Sequence, residues 1–540
     1  MSTPWHYSFT DGDRIDPADR VAVLGSKGAS LARMTAMGLP VPPGFTLTTA
    51  VCNRVGREGW FPELDDAIGQ GLAELEQVSR RALGSDTTPL LLSVRSGAPV
   101  SMPGMMDTVL NLGMTDGVAV ALSAATGDDR FGWDTERRFL QSYATIVLGV
   151  SNETMRTISS ECLGPDDGRA LGADALAAAT RRMRVVLSEH GVEISSDPQQ
   201  QIGAALRAVF ASWESDRART YRSKEDISAS LGTAATVQMM TFGNLGQRSG
   251  TGVVFTRDPS SGANGLVGDF LVGAQGEDVV AGTHTTLRVS ELRSLWPDVA
   301  DRLDDASVRL EQDFADLVDI EFTVEDGSLW LLQVRRGKRS PEAALRIAID
   351  LAEDATFPLG RAGALDRVAA ILADPPTRTN PDFTDDLDAV LASGLAVSPG
   401  RAVGRLCTEI DEAIAAGARG EAVVLVRRET APADIAGMAE ACGLVTTLGG
   451  LVSHAALIAR SWGLPAVVGA AEVTVLADGI SVAGEHYPAG VVVTVDGDRG
   501  LLLLGSHPGD EIELDEVTVL RRWSRELELT GSVAPPQRAR

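Results

Sequence analysis

Cysteine is scarce in this chain: four in 540 residues, at Cys52, Cys162, Cys407 and Cys442. None is paired as CxxC and none stands at metal-ligand spacing. That excludes a disulfide scaffold and a structural zinc centre, and fits free thiols in a reducing cytosol. Long apolar runs are missing too. No stretch reaches the ~18 residues a membrane helix needs. Residues 1–20 are polar and charged with no apolar signal region, so neither a span nor a leader is expected. Basic charge is in deficit, with 48 Lys and Arg against 74 Asp and Glu and a formal net charge of -26. A surface of that sign argues against nucleic acid and anionic membranes as partners. It leaves room for a local basic pocket that takes a small anion. There is no internal repeat and no low-complexity tract.

What is there reads as an ordinary globular protein, 44% hydrophobic and 23% charged. Its length calls for about two to four domains. Up to about residue 339, short apolar runs at 90–94, 253–256 and 329–334 read as buried strands. Helical patterns at 64–83, 175–187 and 198–213 lie between them, as in a mixed α/β or α+β enzyme domain. Helices are expected at 341–352 and 362–373. The Pro-rich stretch Asp374-Pro375-Pro376-Thr377-Arg378-Thr379-Asn380-Pro381 then reads as a hinge. A second α/β domain starts near Gly394, with strands expected at 422–426, 443–446, 466–468, 491–495 and 501–504. One charged helix, 511–528, and a Pro/Arg tail close the chain. The expected division is 1–340, a helical linker 341–393, 394–508, and 509–540.

Five segments carry chemistry. In Gly449-Gly450-Leu451-Val452-Ser453-His454, two glycines turn the backbone ahead of a run of helix formers, which places His454 at a helix N-terminus. Free N–H groups and the helix dipole there suit an imidazole that is neutral before transfer and phosphorylated after it. Lys27 lies in a Gly-bracketed turn leading into a helix. Arg95 follows an apolar strand and faces a Gly-rich loop, where its planar fork suits phosphate. The loop Ser101-Met102-Pro103-Gly104-Met105-Met106-Asp107-Thr108 can close over nucleotide phosphates. Finally, Asp319-Ile320-Glu321-Phe322-Thr323, a turn at Asp326-Gly327, and Gln333-Val334-Arg335 read as a β-hairpin. Alternation puts Asp319, Glu321 and Thr323 on one face, and Gln333 and Arg335 on one face of the return strand. Carboxylates with an amide oxygen suit Mg²⁺, and Arg335 then offsets phosphate charge. For such a hairpin taken alone, a solvated polar face is the commoner outcome.

Taken together these segments resemble the pyruvate, phosphate dikinase family. The matching strings include LGSKGASLARMTAMGLPVPPGFTLTT, LLSVRSGAPVSMPGMMDTVLNLGM, GTAATVQMMTFGNLGQRSGTGVVFTRDPSSG, VDIEFTVEDGSLWLLQVRRGKRSPEAALRIAIDL and TTLGGLVSHAALIARSWGLPAVVGA. The likeness runs from about Val21 to Gly505 and is closer than to phosphoenolpyruvate synthase or the sugar-phosphotransfer Enzyme I. It implies a multidomain α/β protein: an ATP-grasp nucleotide domain at 1–340 and a swivelling phosphohistidine domain at 394–508. In that family the histidine attacks the β-phosphate of ATP, releasing AMP. Inorganic phosphate then removes the terminal phosphoryl group as pyrophosphate, and the phosphohistidine converts pyruvate to phosphoenolpyruvate. Carried over, His454 is the phosphocarrier, and Lys27, Arg95 and Arg335 contact ATP phosphates or the incoming phosphate. Glu321 and Gln333 hold Mg²⁺ with Asp319 in support, and Gln238, Met239 and Met240 line the adenine pocket. Arg137, in Glu136-Arg137-Arg138-Phe139, is a further phosphate contact. The protein is expected in the cytoplasm, and a homodimer is entertained as its assembly.

Two departures stand out. The family's C-terminal pyruvate-binding barrel, about 250 residues, does not fit in the ~35 residues after the histidine domain, so a separate barrel protein or another acceptor is expected. Val452 stands where the family usually has a threonine that plants phosphorylate for control, and Leu448 and Leu451 also replace more typical residues. Two other readings compete. A rifampin-phosphotransferase-like enzyme would carry a substrate domain between its two halves, and about 50 residues are too few for one. A non-catalytic scaffold would be expected to have lost at least one of Lys27, Arg95, Glu321, Gln333, Arg335 and His454.

Overall fold

The computed structural model describes residues 4–100, 102, 106–224, 226–276, 278, 286–380, 387–431 and 434–529. It is a multidomain α/β protein, and its contacts gather into two compact units. One is Met1–Ser249 with Thr323–Val334; the other is Gly250–Phe322 with Arg335–Arg540. This division differs from the expected boundary at 340/341, because the chain crosses from one unit to the other at residues 249/250 and again within the 318–336 hairpin.

The first unit is built on a five-stranded antiparallel sheet. Its order is His6–Ser8, Gly44–Leu47, Ala234–Met239, Leu92–Gly97, Thr108–Leu112. Ala234–Met239 is buried at every position, as an AATVQM segment in the middle of a sheet should be. Helices Pro17–Ala36, Thr49–Glu58, Pro62–Ser79 and Pro198–Ser212 bury apolar stripes. Asp116–Thr126, Phe131–Ile146, Asn152–Leu163 and Ala173–Glu189 form a helical group beside them. Phe45, Val94, Val237, Leu140, Met183 and Leu206 belong to one continuous apolar core, so sheet and helices share a single hydrophobic driving force.

The second unit opens with strands Gly250–Arg257, Asn264–Val272 and Leu287–Arg288, paired antiparallel. They share a sheet with Val318–Glu325 and Ser328–Arg336. Helix Pro341–Glu353 follows. Ser340 caps it by accepting the Ala343 N–H at 3.0 Å, and Pro341 fits its first turn. Beyond it stands an eight-stranded sheet. Its centre, Arg401–Cys407, Val423–Arg427, Gly443–Thr446 and Ala466–Val468, is parallel. Those strands are continuous apolar runs because both faces are covered. Val423, Leu425, Leu444 and Val468 face one cluster with Ala455, Ala456 and Ala459 of helix His454–Trp462. Val424, Val426, Val445 and Val467 face another with Val493 and Val495. The expected strands of this domain match the observed ones to within a residue.

Two expectations are corrected. The stretch read as a hinge is not all linker, since Thr377–Thr379 pairs antiparallel with Glu511–Glu513. That pairing takes the first turn from the expected 511–528 helix, which instead runs Asp515–Leu529. This helix packs into the second unit. Leu514, Val517, Leu520 and Trp523 interlock with Leu345, Ala348, Ala364 and Val368 of helices Pro341–Glu353 and Arg361–Ala373. No separate substrate domain stands among the described residues of 341–393. Residues 381–386 and 530–540 lie outside the described residues. The interlock sets a test. Leu520→Ala removes a fully buried side chain and should lower stability by about 2–4 kcal/mol, read as a lower urea midpoint at unchanged m-value.

Candidate functional site

His454 begins helix His454–Trp462, just after strand Gly443–Thr446. Thr430 follows the neighbouring parallel strand Val423–Arg427. Both loops therefore open at the carboxyl ends of adjacent parallel strands, where α/β sheets place ligands. Ser453 caps the helix by accepting the Ala456 N–H. Thr430 Oγ1 stands 3.1 Å from His454 Nδ1. With Nδ1 engaged, the nitrogen left to meet an electrophile is Nε2. Nε2 is nucleophilic only in the tautomer that keeps the proton on Nδ1 and donates it to Thr430 Oγ1. Burial holds the imidazole below its ordinary value, opposed by the charge of Asp434, so the neutral ring prevails at neutral pH.

The hairpin is not a solvated face: Asp319, Thr323 and Gln333 are all buried. In the second unit, both carboxylate oxygens of Asp319 accept from Arg335 Nε, at 2.9 and 2.7 Å. Burial still pushes the Asp319 carboxyl up to about 6, with Arg335 opposing and Glu321 adding to the rise. Arg335 moves up because the charges of Asp319 and Glu321 outweigh its own desolvation. Glu321 is half-buried. In the first unit, Arg95 donates from Nη1 to the Leu332 carbonyl at 3.1 Å and from Nη2 to Gln333 Oε1 at 3.2 Å. Arg95 and Gly97 share a face of their strand, and a Cβ on Gly97 would meet Lys27 Cβ at 3.3 Å. The bend that permits this is at Gly25, whose φ is +67° and where a Cβ would stand 1.6 Å from the Gly97 carbonyl oxygen. The structure thus gathers Lys27, Arg95 and Gln333 in one unit, and Asp319, Glu321, Arg335 and His454 in the other.

The remaining expected residues sit deeper. Gln238 Nε2 donates to the Pro42 carbonyl at 3.1 Å, and Met239 and Met240 belong to the first unit's core. All three have packing roles, so an adenine contact from them rests on the resemblance alone. Arg137 does not fit its expected phosphate role. Its guanidinium is buried in the helical group, bonded to Asp134 Oδ1 through Nε and Nη2, to Gln141 through Nη1, and to Asp167 at 2.5 Å. Two carboxylates already match its charge. Of the loop at 101–108, residues 101 and 103–105 lie outside the described residues. Sequence reasoning missed Thr430, Asp269 and Arg460. Asp269 accepts the Leu451 N–H at 2.9 Å, and Arg460 donates to the Leu451 carbonyl at 2.6 Å. Of the three, only Arg460 lies in the histidine motif.

Comparison with known proteins fits this geometry. A family profile described as pyruvate phosphate dikinase, AMP/ATP-binding domain, matches residues 21–88, 58–294 and 283–355. A second, described as PEP-utilising enzyme, mobile domain, matches residues 420–500. The pyruvate, phosphate dikinase of Rhizobium meliloti (strain 1021) is 40% identical over 566 residues, covering 99% of this chain and 62% of that protein. That of Clostridium symbiosum is 39% identical, over 96% of this chain and 60% of its own. The chloroplastic one of Mesembryanthemum crystallinum is 41% identical, over 93% and 54%. The chain therefore spans less than two thirds of the length of these relatives. No described helix is long and apolar enough to cross a membrane.

Two measurements check the site. Because the folded His454 titrates below its ordinary value, folding favours the neutral ring. Its contribution is intact above about pH 6.5 and is lost as pH falls through the lower folded value. His454→Gln should flatten the stability–pH curve below about pH 6.5, and an NMR titration should place the wild-type ring below free histidine. Val452 is buried against Phe255, Leu271, Leu317, Ala343 and Ile347. Val452→Thr sinks a hydroxyl into that cluster and should lower stability by about 1–3 kcal/mol in chemical denaturation.

Proposed function

The chain belongs to the pyruvate, phosphate dikinase family, and from that premise we propose that it phosphorylates His454 from ATP, the nucleotide half of a dikinase reaction. One observation carries the reading. The neutral, half-buried imidazole has Nδ1 engaged by Thr430 and Nε2 left for attack, at a helix N-terminus at the carboxyl ends of two parallel strands. In the proposed step the Nε2 lone pair attacks the β-phosphorus of ATP. The bond from that phosphorus to the bridging oxygen breaks, its electron pair leaves with AMP, and the histidine holds a pyrophosphoryl group. Inorganic phosphate then attacks the terminal phosphorus, pyrophosphate leaves, and a phosphohistidine remains. Arg335 offsets charge on the transferring group, with Lys27 and Arg95 holding the nucleotide phosphates.

Magnesium is the cofactor that this chemistry and these residues suit. Among the described residues no group of three or more His, Cys, Asp or Glu forms a metal cage. Asp319 is committed to Arg335, so it supports the site rather than ligating. The hard oxygen donors that the family resemblance assigns to the ion are the Glu321 carboxylate and the Gln333 amide oxygen, the latter also accepting from Arg95. That small set suits Mg²⁺, which keeps places for phosphate oxygens. Bound there, the ion would supply charge neutralisation to the triphosphate. The acceptor we assign to the phosphohistidine is pyruvate, giving phosphoenolpyruvate, on a (β/α)₈ barrel that none of the described residues forms. Four free thiols suit a reducing cytoplasm.

The test is incubation with Mg²⁺ and ATP, with and without inorganic phosphate, reading intact mass and nucleotide products. An acid-labile adduct on the wild type but not on His454→Ala is expected, with AMP released and pyrophosphate formed only when phosphate is added. No adduct and no AMP would sink the proposal. Thr430→Val removes the group that selects the tautomer and should slow labelling roughly tenfold, equivalent to ~1.4 kcal/mol. Thr430→Ser should restore most of the rate.

A further inference from the structure

The loop in front of His454 is held by a carboxylate far away in sequence. Asp269 lies on strand Asn264–Val272, opposite Val253 and Arg288 in register. Its side chain is 1% exposed. Oδ2 accepts the Leu451 N–H at 2.9 Å, and the neighbouring Val452 N–H favours the charged form of the same carboxylate. The approach is so close that a Cβ on Gly450 would stand 2.4 Å from that oxygen and push the carboxylate off its seat. The other side of the Leu451 peptide is held as well. Arg460, fully buried, donates from Nη2 to the Leu451 carbonyl at 2.6 Å and from Nε to the Val397 carbonyl at 2.8 Å. Its guanidinium lies 5.6 Å from the centre of the Phe255 ring. Ser260 Oγ reaches the same Val397 carbonyl at 2.8 Å, and Val452 fills the apolar cluster around Phe255 and Leu271.

This is a clasp between two parts of the second unit, the strand pair 250–272 and the loop carrying His454. Its polar half is nearly balanced against water, since the carboxylate and the Leu451 N–H regain partners when they separate. Such a clasp fixes where the loop sits without locking it there. The strand pair also belongs to the sheet that bears Asp319 and Arg335, so a loop seated on Asp269 is seated on the sheet that carries the proposed phosphate-binding arginine.

We infer that Asp269 is a positioning residue for phosphorylation of His454: its carboxylate seats the Leu451 amide on the 250–272 strands, and the loop leaves that seat to deliver its phosphoryl group. The inference rests on the phosphotransfer reading for its role and on the clasp geometry for its existence, and each can be tested apart. The variants are Asp269→Ala, which loses the acceptor, and Asp269→Asn, which keeps one acceptor oxygen. With Mg²⁺ and ATP, Asp269→Ala should label His454 about tenfold more slowly or worse at saturating ATP, with KM for ATP within about twofold of wild type. Asp269→Asn should recover most of that loss. Phosphoramidate, a small donor that needs no seated loop, should label Asp269→Ala at least as fast as wild type. Amide exchange should show Leu451 protected in the wild type and deprotected in Asp269→Ala alone.

ATP labelling of Asp269→Ala at the wild-type rate, or unchanged protection of that amide, overturns the inference. So does a parallel fall in phosphoramidate labelling, which would mean a damaged histidine domain. A wild-type protein that ATP does not label, but whose Leu451 amide deprotects only in Asp269→Ala, would remove the phosphotransfer reading and leave the clasp standing.

Discussion

Backbone N–H groups that leave water need acceptors, and the loop ahead of helix His454–Trp462 shows how much of the second unit that requirement organises. Helix N-termini carry orphan donors. Here Ser453 takes one of them, from Ala456, and Asp269 takes that of Leu451 just outside the helix. Meeting this need brings a carboxylate into the interior. Burial pushes that carboxyl up, and the Leu451 and Val452 N–H groups, Arg288 and Arg460 work against the rise. Arg460 in turn is driven down to about 10 by burial, with Asp258 and Asp269 opposing. Neither charge is tenable alone in that setting. The loop's position is therefore set jointly by an anion from one part of the chain and a cation from its own helix.

The same logic governs the arginines elsewhere. Arg401 pairs with Asp496 at 2.5 Å with both side chains almost wholly buried. Arg257 binds Glu311 at 2.7 Å, and Arg137 is enclosed by Asp134 and Asp167. In a chain with 48 basic and 74 acidic residues, each of these arginines takes a carboxylate inside with it, so the outer surface keeps the chain's net acidity. A polyanionic nucleotide is then attracted only where cations are concentrated. The candidate cations of that kind are Lys27 and Arg95 in the first unit and Arg335 in the second.

Much of this was legible in the sequence, and what was not shares one physical character. Strands 443–446, 466–468 and 501–504 were readable because strands buried on both faces are unbroken apolar runs. His454 was readable because glycines and a helix-forming run flank it. The hairpin face was readable because its alternation is local. The pairing of Thr377–Thr379 with Glu511–Glu513 was not, since the two partners are short, polar and separated by more than 130 positions. Thr430 and Asp269 were missed for the same reason, standing 24 and 182 positions from the groups they bond. The ion pairs of Arg137 were hidden from the sequence as well. An arginine in a helix reads alike whether it meets a ligand or two carboxylates of its own fold, and Asp167 is invisible from its neighbourhood.

Val452 draws these threads together. At a position where the family's usual threonine could hydrogen-bond or be modified, this chain places a side chain with nothing to offer but volume, and the structure buries it against Phe255 and Leu271. Its backbone N–H lies next to the Leu451 N–H that Asp269 accepts, and favours the same carboxylate's charge. The residue therefore divides its two functions cleanly: the main chain supplies direction through its N–H, and the side chain supplies non-directional adhesion through apolar burial. A hydroxyl would blur that division, because it would need an acceptor among groups that have none to spare. Retaining the hydrogen bond while strengthening the adhesion shifts the balance of this loop toward its seat on the 250–272 strands. What releases it must then come from the reacting group on His454 or from the next acceptor, and not from a modification at position 452.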